Sequence, residues 1–206
     1  IIGRSAMDAA TSADDNVAIG YAALGALTTG DKNTAIGQSA GAATTTAGGN
    51  TAMGYRSLYT NVTGADNVAI GYNAMNANVA SNNTAVGQAA LEANSTGASN
   101  TGVGQGALAA NTTAASNVAV GNGALYVNTT GAEGVAVGAN ALDANTTGNN
   151  NVGVGIDSLG ANTTGGSNVA VGSYALDANT TASDNVAVGH HSLGTNTTGT
   201  QNTAIG

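Results

Sequence analysis

One pentapeptide, read most clearly at Asn185-Val186-Ala187-Val188-Gly189, recurs from one end of this chain to the other, and its spacing constrains the fold more than any other feature. Versions of it end at Gly3, Gly20, Gly37, Gly54, Gly71, Gly87, Gly104, Gly121, Gly138, Gly155, Gly172, Gly189 and Gly206. Every interval between these glycines is 17 residues, except Gly71 to Gly87, which is 16. A fixed period without a unique insert means that each unit buries its apolar side only by stacking on its neighbours. Residues 1–206 therefore read as a single repeat array. Because it starts and stops within the repeated pattern, it is expected to be a fragment of a longer fibre.

Composition narrows the function classes. The net charge is −8, and the three basic residues, Arg4, Lys32 and Arg56, are scattered through the first quarter, so no basic patch exists to hold nucleic acid. The absence of Cys excludes a disulfide framework and thiolate metal sites. With no Phe or Trp a thick globular core is not expected, yet the apolar residues are strictly periodic and Pro is absent, so the chain does not read as disordered. No apolar run approaches the roughly 20 residues of a membrane helix, and no membrane insertion by this segment is expected.

Within the pentapeptide the alternation has period two, the signature of a short strand. Large β-branched residues occupy its second and fourth positions, as in Val17 and Ile19, Val118 and Val120, and Val186 and Val188. Four residues after the glycine stands a Leu or Met in all coils but the one with Gly41, as at Leu24, Leu125 and Leu193. The expected coil has two short extended segments joined by two turns, with the Val, Ile and Leu side chains as its core. Successive coils stack in parallel at roughly 4.8 Å, giving an all-β parallel β-roll, or solenoid, of 17-residue coils. The middle strand position is almost always Ala, as at Ala18, Ala69, Ala119, Ala136, Ala170 and Ala187. An outward stripe of such small residues would let another backbone approach closely, so this column is the expected interface of a homo-oligomer.

The motif Asn-x-Ala-[Val/Ile]-Gly-x-x-[Ala/Ser], as in Asn67 to Ala74 and Asn185 to Ser192, resembles the head repeat of trimeric autotransporter adhesins of the YadA type. The Ala-Leu and Asn-Thr-Thr-Gly elements also look like the repeat tracts of phage-type tail fibres. The resemblance covers the whole chain. It implies a left-handed roll, three chains about one axis, an extracellular place on a cell surface or virion fibre, and an adhesive or structural role without catalysis.

Two columns of Asn dominate the polar inventory. The second, with Asn111, Asn128, Asn145, Asn162, Asn179 and Asn196, is expected to form a hydrogen-bonded ladder along the stack. Several of its members also match the Asn-x-Ser/Thr acceptor pattern, as at Asn61, Asn94 and Asn111, but that pattern follows automatically from the repeat. The acidic residues recur too irregularly for a calcium ladder, and no cofactor is expected. His190-His191, with Ser192 and Asp184 nearby, has the residue types of a metal or catalytic site. His190 nevertheless takes the column position of Tyr21, Gln38, Tyr55 and Tyr72, which reads as surface variation. No unique polar constellation points to an enzyme. If the surface binds a host receptor or glycan, Tyr21, Tyr55, Tyr72 and His190 are the candidate residues. A second functional reading is a monomeric solenoid that binds a regular lattice, ice or polysaccharide, through Thr pairs such as Thr129-Thr130 and Thr146-Thr147.

Overall fold

The computed structural model describes residues 1–206. Each pentapeptide after the first contributes one three-residue strand, and the twelve strands are β1 (Val17–Ile19), β2 (Thr34–Ile36), β3 (Thr51–Met53), β4 (Val68–Ile70), β5 (Thr84–Val86), β6 (Thr101–Val103), β7 (Val118–Val120), β8 (Val135–Val137), β9 (Val152–Val154), β10 (Val169–Val171), β11 (Val186–Val188) and β12 (Thr203–Ile205). They form one parallel sheet in sequential order, with each residue opposite its repeat equivalent, as Ala18 is opposite Ala35 and Val118 opposite Val135. The chain is a β-solenoid without helices.

The other wall of each coil is not a strand, contrary to the two extended segments expected. Two residues there adopt the left-handed backbone, for example Ala22 (φ 54) and Leu24 (φ 50), and these break any extended run. The wall is still laddered: Leu24 N–H donates to Ala40 O at 3.0 Å and Ala26 N–H to Ala42 O at 3.1 Å, one coil on. Of 134 backbone hydrogen bonds only 22 lie within the strands, so turns and the irregular wall carry most of the cohesion between coils.

The strand faces are opposite to the sequence-based expectation. Ala18, Ala69, Ala119, Ala136, Ala170 and Ala187 have no exposed surface and point into the coil, while Val17 is 43 % and Val120 37 % exposed. Val118, Val186, Val188 and Ile19 are likewise only partly covered or exposed. The expected core is thus correct for Leu24 and Leu125, and Leu193 packs partly buried against it, but the Val and Ile positions belong to the outer face. The expected Ala interface is the interior wall. The reason is width. In all coils but that of Gly41, one Leu or Met spans the narrow interior, and the Leu meets the strand's middle residue: a Cβ at Gly102 would lie 3.5 Å from Leu91 Cγ, and one at Gly153 would lie 3.3 Å from Leu142 Cγ. A methyl group fits opposite that Leu and a larger branched side chain does not.

The repeated glycines also serve the chain's own stacking. Gly138 has φ +137, and a Cβ there would come within 2.5 Å of Gly155 O in the next coil. The same overlap recurs at every coil with a following neighbour, so only Gly fits the column. The 16-residue coil absorbs its deletion in the turn. Asn61 Nδ2 donates to Gly64 O three residues on, whereas in the shortened coil Asn78 Nδ2 reaches Ala80 O two residues on at 2.8 Å. The flanking strands keep register, with Val68 opposite Thr84.

Candidate functional surface

The interior polar groups belong to the scaffold. In the second Asn column, Asn94 Nδ2 donates to Asn78 Oδ1, and the pattern continues through Asn111, Asn128, Asn145, Asn162 and Asn179, each donating to the residue one coil earlier. Asn196 stands in the column, but its amide closes on its own turn at Gly199. The first column adds a backbone link: except at Asn16 and Asn151, the backbone N–H of each Asn donates to the Oδ1 of the one above, as Asn33 to Asn16 at 2.8 Å and Asn185 to Asn168 at 3.0 Å. The columns meet at shared carbonyls. Ala114 O accepts from both Asn100 and Asn111, and Gly131 O from both Asn117 and Asn128.

This arrangement bears on the acceptor pattern. Asn61, Asn94 and Asn111 have no exposed surface, and their Nδ2 groups are donors inside the coil. A glycan on Nδ2 would require the coil to open, because the nitrogen is buried, with both hydrogens engaged at Asn94 and Asn111 and one at Asn61.

The His pair is a packed aromatic group. His191 stacks on Tyr174 with centroids 4.8 Å apart and planes at 14°, and His190 meets His191 edge-on at 4.3 Å. Tyr174 and His191 are one repeat apart, so the 17-residue spacing carries the signal for this pair, though sequence reasoning did not join them. Ser192 is turned away from a nucleophile's role: its hydroxyl donates to Ala204 O at 3.2 Å. No three His, Asp or Glu side chains converge as metal ligands, and no ligand-sized cavity opens on the molecule.

Tyr55 and Tyr72 stack on one another with centroids 5.3 Å apart and planes at 15°. Each ring covers a face of the other and leaves edges to solvent, so the pair is a rung-to-rung stack more than a flat platform. Tyr21 lies within 6.0 Å of the Arg4 guanidinium, and Arg56 sits over the Tyr59 ring at 4.2 Å. Tyr21, Tyr55, Tyr72 and His190 are all exposed, but His190 lies many coils from the tyrosines and does not join them in one site.

Two longer features distinguish the surface. The first is the outer face of the sheet, where the last strand residue is apolar in every coil: Ile, Met or Val from Ile19 to Ile205. The second is the turn after the second Asn column. Its inner Thr hydroxyls are engaged, as Thr129 Oγ1 donates to Thr146 O at 3.1 Å and Thr146 Oγ1 to Thr163 O at 3.0 Å. Its outer residues, Thr96, Thr113, Thr130, Thr147, Thr164, Thr181 and Thr198, are exposed in consecutive coils.

No family model, curated protein or solved structure matches this chain. The functional reading therefore rests on the surface itself. No helix is long and apolar enough to cross a membrane.

Proposed function

We propose that this chain is a non-enzymatic fibre segment, a β-roll that assembles with further copies of itself and serves as a shaft or adhesive head. The observation that supports it is the unbroken apolar column on the outer sheet face, reinforced in most coils by a second β-branched residue. A continuous ridge of this kind is costly to leave in water along a whole rod, and identical rods laid side by side cover it. The interface of this reading is the Val and Ile face, including Val118, Val120, Val186 and Val188, in place of the Ala column. Three chains per fibre and an extracellular position on a cell surface or virion follow from the resemblance to trimeric adhesin heads and tail-fibre tracts. A receptor or glycan would then meet the exposed tyrosines or loops.

The test is analytical ultracentrifugation of the wild-type chain beside Val120→Glu/Val137→Glu. The expected result is an oligomeric wild type and a variant of monomer mass that keeps its β-rich circular dichroism. A folded wild-type monomer, or a variant that stays assembled, rejects the reading.

The exposed Thr column favours a second reading, a solenoid that binds a regular lattice such as ice or an ordered polysaccharide. Regularly spaced hydroxyls on a rigid backbone are what such a lattice would need. Thermal hysteresis and co-sedimentation with insoluble polysaccharide separate the two, since the fibre reading expects neither.

A further inference from the structure

The first Asn column is interrupted once. Where the other coils have Asn, the pentapeptide ending at Gly138 begins with Gly134. Gly134 still donates its N–H to Asn117 Oδ1 at 2.8 Å, so the ladder is intact above it. Below it two bonds are lost. Asn151, the next residue in the column, has no side-chain oxygen above it to accept its N–H, and it makes no other backbone donation. Gly148 O, which by the repeat should accept from both columns, receives only Asn145 Nδ2. By comparison, Gly131 O and Gly165 O each receive two Asn amides.

The surroundings make this consequential. Asn151 is 1 % exposed, so bulk water does not reach its amide freely. A buried backbone N–H without a partner is costly, and native proteins pair nearly all such groups. Where an apolar residue replaces an Asn, as Leu27 does in the second column, the space is filled by a side chain. Gly134 leaves a space with Leu125 Cδ1 on one side, 3.6 Å from where a Cβ would lie, and polar groups on the others. One donor (Asn151 N–H) and two acceptors (Gly148 O and Asn117 Oδ1) border the position that an Asn amide takes in neighbouring coils.

We infer that Gly134 creates a binding site for one buried water molecule inside the roll. The water accepts from Asn151 N–H and donates to Gly148 O and Asn117 Oδ1, which gives it three partners, the usual number for an internal water. It thereby reproduces both roles of the missing side chain: the oxygen that accepts from the next backbone amide and the nitrogen that donates to the shared carbonyl. The site is specific to this coil because every other coil of the column from Asn16 to Asn202 supplies its own amide.

The experiment is detection of a long-lived water by water–amide cross-relaxation in the isotope-labelled 206-residue chain. A cross-peak is expected at the Asn151 amide and at neither the Asn100 nor the Asn168 amide. In Gly134→Asn the cross-peak should vanish and exchange of the Asn151 amide should slow about tenfold, roughly what one net hydrogen bond supplies. A Cβ at Gly134 would lie 3.0 Å from Asn117 Oδ1, so this variant needs a small adjustment of that amide. The reverse substitution tests the inference without that demand. Asn168→Gly copies the same loss two coils on and should create a new water cross-peak at the Asn185 amide, which donates to Asn168 Oδ1 in the wild type. No signal at Asn151 in the wild type, or no new signal at Asn185 in Asn168→Gly, overturns the inference.

Discussion

Asn128 Nδ2 donates to Asn111 Oδ1 one coil earlier at 3.1 Å, and Asn128 Oδ1 in turn accepts from Asn145 Nδ2 at 2.9 Å. The second hydrogen on Nδ2 goes to Gly131 O at 2.8 Å, so every hydrogen of this buried amide is engaged. The side chain links three coils through a buried interior, where hydrogen bonds are strong and unpaired groups are costly. Asn128→Ala removes these bonds and leaves polar partners in both adjacent coils. A loss of roughly 3 kcal/mol is expected, read as a lower midpoint in urea unfolding. A midpoint unchanged from wild type would mean the ladder adds nothing to stability.

Ala119 and Val120 are neighbours in sequence with opposite fates. Ala119 has no exposed surface, so Ala119→Leu forces a large side chain against the Leu column and should lower stability by at least about 1–3 kcal/mol. Val120→Thr on the outer face should cost less than about 1 kcal/mol within a single coil. Thermal unfolding of the two variants, at a concentration where neither assembles, checks the inside-out assignment directly.

The glycine column is expected to be intolerant where other glycines are not. Gly138→Ala would place its Cβ 2.5 Å from Gly155 O in a left-handed region that L residues rarely adopt. The loss should exceed the roughly 1–3 kcal/mol typical of backbone strain alone. At Gly25 a Cβ would meet nothing closer than Ala22 O at 3.3 Å, and Gly25→Ala should stay within about 1 kcal/mol of wild type. Paired calorimetry of the two variants measures the difference.

Asp143 carries a pH signature. Burial, and then the Asp157 carboxylate in the next coil, push its carboxyl above the usual carboxylate value. A carboxyl whose folded pKa is raised keeps more protons in the folded than in the unfolded state. Its stabilising contribution is therefore full below the unfolded value and is lost as pH rises through the folded one. Asp143→Asn removes that loss, so the variant should melt higher than wild type at neutral pH. The advantage should shrink as the pH is brought below the ordinary carboxylate range. A difference that is independent of pH would show that the ionisation of Asp143 is not its source.

The 17-residue period in the sequence determined where the strands lie, how they pair and that the chain is a parallel solenoid. A fixed repeat with one shape per unit permits only in-register stacking. It also placed the Leu column inside and announced an Asn ladder, because identical amides one coil apart meet automatically. Alternation in Val17-Ala18-Ile19 says that the strand has two faces, but size and hydrophobicity alone pointed the larger residues inward. Only the tertiary structure decided the question: Leu24 and its equivalents already fill the narrow interior, so the methyl of Ala18 is what fits beside them. The same packing turned the Val and Ile residues outward and left them, not the Ala stripe, on the outer face.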